Sequence, residues 1–139
     1  MKRQEVFDKV AAHLLTQKAR AVYSSKILSI SNRCSYRAEN GLKCAIGALI
    51  PDYLYDERIE GCGLGNIMDG AHDEQEQVLA DIIASLELTD ELTFLLDLQN
   101  LHDSDLPDAV KQWPERLLDF ALDWDLDPSV AMAHALEIK

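Results

Sequence analysis

The sequence predicts a mainly α fold, a compact helical domain carrying a small β-hairpin near residues 34–45. Three observations predict it. Apolar side chains recur at three- and four-residue intervals through much of the chain, the period of one helix face. Capping residues and prolines stand just ahead of the later apolar stripes. A strong hairpin signal, Asn40-Gly41, separates two β-compatible runs. The chain has 139 residues and shows no repeat, low-complexity tract or long linker, so one domain over 1–139 is expected. At this size about 70% of the unfolded surface is buried on folding, and no staple is required.

Taken in order, residues 3–18 place Val6, Phe7, Val10, Ala11, Leu14 and Leu15 on one helix face, with Lys2, Arg3, Lys9 and Lys18 around the other. Residues 20–33 are irregular and fit either a short helix or an extended segment. The hairpin follows, Cys34-Ser-Tyr-Arg leading into the turn and Leu42-Lys-Cys-Ala leaving it. A short apolar segment over residues 45–50 ends at Pro51, which forces its predecessor out of helical geometry. Gly61, Gly63, Gly65 and Gly70 mark a turning loop around Cys62.

From Asp73 the pattern is plainly helical. Val78, Leu79, Ile82, Ile83 and Leu86 line one face behind acidic residues that suit a helix N-terminus. Thr89 is the expected cap of a further helix, with Leu92, Leu95, Leu96 and Gln99 inward and an end near His102. Pro107 and Pro114 fit first-turn positions ahead of a stripe of Leu117, Leu118, Ala121, Leu122 and Trp124. Asp127 and Pro128 start a terminal helix through Val130, Met132, Ala133 and Leu136. Whether Trp113, Trp124 and this last helix face the core or a homodimer interface is left open by periodicity.

The formal net charge is −12, and it is segregated. Residues 1–70 hold ten Lys or Arg against eight Asp or Glu, while residues 71–139 hold three against seventeen. Such a field repels nucleic acid and attracts basic partners, with rates that fall as salt rises. No apolar run reaches the roughly 20 residues of a membrane span. The first eight residues include Glu5 and Asp8 and contain no secretory core, so the expected compartment is the cytoplasm. Three cysteines, Cys34, Cys44 and Cys62, with no Cys-x-x-Cys pair, fit a reduced interior; a Cys34–Cys44 bridge across the hairpin is the alternative.

Two constellations carry chemistry. In the first, Cys44 precedes an apolar segment whose N-terminus would stabilise a thiolate, and His102 with Asp103 supplies a base and its orienting carboxylate. The alternative is that Cys44 is a small buried hydrophobe and His102 complements its helix dipole. In the second, Asp105, Asp108, Asp119, Asp123, Asp125 and Asp127, with Asp103, present carboxylates around the later helices. These lack the glycine and distal glutamate of a calcium loop, and the cysteines match no zinc spacing, so no metal and no cofactor is expected. Arg33, Arg37 and Lys43, interleaved with Tyr36, would form a small basic face on the hairpin, read as solvated or paired with the acidic helices in preference to the alternative of a nucleic-acid contact.

The segment CSYRAENGLKCAIGALIPDYLYDERIEG, with the later LQNLHD, resembles a family of small uncharacterised proteins of bacteria and their phages. The resembling positions are Cys34, Tyr36, Arg37, Gly41, Cys44, Gly47, Pro51, Asp52, Tyr55, Glu60, Gly61, His102 and Asp103. The resemblance implies a bacterial or phage origin and brings no assigned activity. The favoured expectation is therefore a small acidic, non-enzymatic binding or inhibitor protein. It would occupy a basic, nucleic-acid-binding surface of a bacterial host or defence protein, touching neither nucleic acid nor membrane itself. The alternative is a cysteine-dependent hydrolase or transferase using Cys44 and His102.

Overall fold

The computed structural model describes residues 2–17, 22–23, 33–34, 36–38, 41–103 and 109–137. Five helices dominate them: α1 (Arg3–Gln17), α2 (Glu74–Ser85), α3 (Leu92–Asp103), α4 (Ala109–Asp123) and α5 (Ser129–Glu137). The fold is mainly α, as expected. None of these helices is long and apolar enough to cross a membrane.

Helix α1 buries all six apolar residues read from its periodicity. It packs against α5, α4 and the 3-10 turn Gly47–Leu49. Phe7 stacks on Phe120 of α4 at 5.9 Å, Phe120 meets Phe94 of α3 at 5.3 Å, and Phe94 meets Trp124 edge-on at 5.1 Å. This aromatic line joins three helices through side chains that bury large apolar areas. Trp113 and Phe120 thus belong to the core, and Trp124 packs against it. At the other end α2 sits on the 3-10 turn Glu57–Ile59 and α3 on the turn Leu64–Ile67.

Local chemistry starts and stops these helices. The Asp73 carboxylate caps α2 by accepting the Glu76 N–H at 2.7 Å, and Asp127 does the same for the start of α5 through the Ser129 N–H at 2.9 Å. Thr89 is the first residue of a 3-10 turn, Thr89–Glu91, that runs into α3, and the cap position of that turn is Leu88, one residue before the expected Thr89. Pro114 lies inside α4 instead of in its first turn. The ring removes one bond to the preceding turn, and burial of Trp113, Leu117, Phe120 and Ala121 holds the helix together across the gap.

Among the described residues, the expected hairpin over residues 34–45 does not show a pair of strands. The antiparallel pair that does form joins β1 (Val22–Tyr23) to β2 (Arg33–Cys34), with Val22 opposite Cys34. Over the expected span there is one isolated bridge, Arg37 opposite Lys43, closed by the Ala38 N–H on the Leu42 carbonyl at 2.8 Å. Gly41 takes φ +84 in that turn, the conformation the Asn-Gly signal demands, while Asn40 lies outside the described residues.

Side chains meet the backbone groups along the outer edges of this turn. The Gln17 amide of α1 pairs with Lys43 on both sides, accepting its N–H at 2.8 Å and donating to its carbonyl at 2.9 Å. His13 bonds the same carbonyl at 3.0 Å. On the other arm the Tyr36 and Arg37 N–H groups go to the Glu60 carboxylate at 2.9 and 3.0 Å. Side chains have taken the places a neighbouring strand would fill.

Gly47 is the tightest point of this region. A Cβ there would stand 2.0 Å from the Tyr36 carbonyl oxygen, a backbone atom that cannot swing aside. Gly47→Ala is expected to destabilise the protein by about 3 kcal/mol, the upper part of the overpacking range, read as a fall in the urea midpoint.

Candidate functional site

Two regions bear on function: the loop knot built from residues 36–62 with the end of α3, and the acidic outer surface of α4 and the α4–α5 link.

The knot centres on Glu60. Its carboxylate receives the two backbone N–H groups just described and the Tyr55 hydroxyl at 2.5 Å. Arg37 lies over the Tyr55 ring at 4.4 Å, donates to the Ile50 carbonyl at 3.1 Å and pairs with Asp52 at 2.7 Å. The Tyr36 hydroxyl donates to the Cys62 carbonyl at 2.6 Å, and Gln75 of α2 holds the Arg58 and Glu60 carbonyls at 2.7 and 2.9 Å. Gln99 of α3 accepts the Ile46 N–H at 3.0 Å, docking the turn that follows Cys44 onto the helix that carries His102.

The candidate catalytic residues sit inside this packing. Cys44 is a free thiol with 1% of its surface exposed, and its Sγ accepts the Gly47 N–H at 3.3 Å. His102 is fully buried in the last turn of α3, its ring stacked on Trp113 at 5.8 Å. Asp103 is the last residue of α3. The structure brings the Cys44 turn and α3 together, with both Cys44 and His102 buried. Cys62 is also a buried free thiol, and burial pushes its pKa up, away from the reactive thiolate. Among the described residues, no group of three or more His, Cys, Asp or Glu is arranged to hold a metal ion.

The candidate acidic residues divide differently. Asp105 and Asp108 lie outside the described residues. Asp119 and Asp123 are exposed on α4, and Asp125 is exposed just after it. Asp127 is committed to capping α5: its bonds to the Ser129 hydroxyl and N–H hold its pKa below the usual carboxylate value. Its backbone is clamped by Gln4 of α1, which accepts its N–H and donates to its carbonyl, both at 2.8 Å.

Three arginines of the first half, Arg3, Arg37 and Arg58, are engaged among the described residues. Arg3 pairs with Glu91 and lies over the Trp124 ring, and Arg58 pairs with Asp56 and Glu74. Arg37, expected on a basic face, is tied to Asp52 and Tyr55. None of these arginines reaches Asp119, Asp123 or Asp125, which form no ion pair among the described residues.

Leu122 departs from its expected place in the apolar stripe of α4, for it is 69% exposed. Nine residues beyond Trp113 at 3.6 residues per turn is a rotation of about 180°, directly opposite the buried face. Met132 and Ala133 of α5 likewise point outward, and Ala131 takes the inward place. Sequence reasoning also gave no role to Glu60, Gln17 or Gln75, because a side chain that serves backbone groups distant in sequence leaves no periodic trace. Comparison of the chain with family models, curated proteins and solved structures found no match.

Two outcomes are expected. Burial, and then the bond to Glu60, push the Tyr55 hydroxyl pKa well above its ordinary 10.0. The folded state therefore keeps that proton to higher pH than the unfolded chain; the stabilisation is complete below about pH 10 and is lost as pH rises further. Wild-type urea midpoints should fall more steeply than those of Tyr55→Phe above pH 10. In the second experiment, iodoacetamide at pH 7 should modify Cys44 and Cys62 far more slowly than free cysteine until urea unfolds the protein. Cys44 alkylating faster than the free thiol would restore the enzyme reading.

Proposed function

We propose that the protein is a small acidic, non-enzymatic binding protein, phage-encoded on the resemblance of its central motif, that covers a basic surface of a bacterial host or defence protein. The observation that carries this reading is the exposure of Asp119, Asp123 and Asp125 without an ion pair among the described residues, while Arg3, Arg37 and Arg58 are spent on other acids. An unneutralised negative surface steers cationic partners and repels phosphates. A basic patch that normally holds nucleic acid is the natural complement. The burial of Cys44 and His102 favours this reading over a thiol-dependent enzyme.

The test is capture from bacterial lysate on immobilised protein at low and high salt. A basic protein should be retained at low salt, released at high salt, and lost with the triple variant Asp119→Asn, Asp123→Asn, Asp125→Asn. The captured protein should then bind DNA less tightly when wild type is added. Retention that ignores both salt and the triple variant would refute the electrostatic mechanism.

A further inference from the structure

We draw no further inference here: the strongest candidate, the acidic outer face of α4 around the exposed Leu122, belongs to the surface already described, and nothing in the structure shows what covers it.

Discussion

A chain that runs back and forth between residues 36 and 62 without a sheet has to satisfy its backbone polar groups by some other route, and everything else in this fold is arranged around that need. Each buried N–H or carbonyl left unpaired costs roughly 1–3 kcal/mol, comparable with a large share of the stability of a domain this size. Here the partners are side-chain amides and one carboxylate. Gln17 takes both backbone groups of Lys43, Glu60 takes the Tyr36 and Arg37 N–H groups, Gln75 takes the Arg58 and Glu60 carbonyls, and Gln99 takes the Ile46 N–H. These side chains come from α1, α2, α3 and the loop itself, so the loop depends on the helices for its backbone partners.

The stretch from Tyr36 to Glu60, together with the later LQNLHD, has a physical meaning in these terms. Tyr36, Arg37, Asp52, Tyr55 and Glu60 bond or stack with one another, and Gly47 is the residue that lets the Tyr36 carbonyl approach. The LQNLHD element supplies Gln99, which grips this knot, and Leu98, Leu101 and His102, which pack in the core. Such residues make a scaffold. Cys44 belongs to it as well, for its sulfur accepts the Gly47 N–H and the residue is buried with the surrounding apolar side chains. The exposed acids Asp119 and Asp123 lie elsewhere, on α4.

Legibility in the sequence followed the range of the interaction. The six buried residues of α1 and the Asp127 cap of α5 depend on neighbours within a turn or two, and periodicity and capping rules recover them. The Asn40-Gly41 signal is local and located the turn at Gly41 but not the partners of its arms, where Gln17 and Glu60, each more than twenty residues away, take the outer backbone groups. Pro114 was misplaced by a rule about isolated helices that a buried tryptophan on the preceding residue overrides. Leu122 was misread for another reason: the stripe was drawn through its apolar character, although its angular position, counted from Trp113, already put it on the outer face.

That angular position also separates charge that serves the fold from charge that does not. Carboxylates at the start of α2 gain about 0.3–1 kcal/mol each from the helix dipole, and Glu74 additionally meets Arg58. Moving along the chain to the end of α4, the same residue type loses a comparable amount to the dipole and a few tenths more to each like-charged neighbour. A solubility requirement would be met equally well by acids at helix starts, where they stabilise. Acids at the end of α4 therefore cost the fold what acids at the start of α2 contribute to it, and the two ends of a helix give one residue type opposite roles.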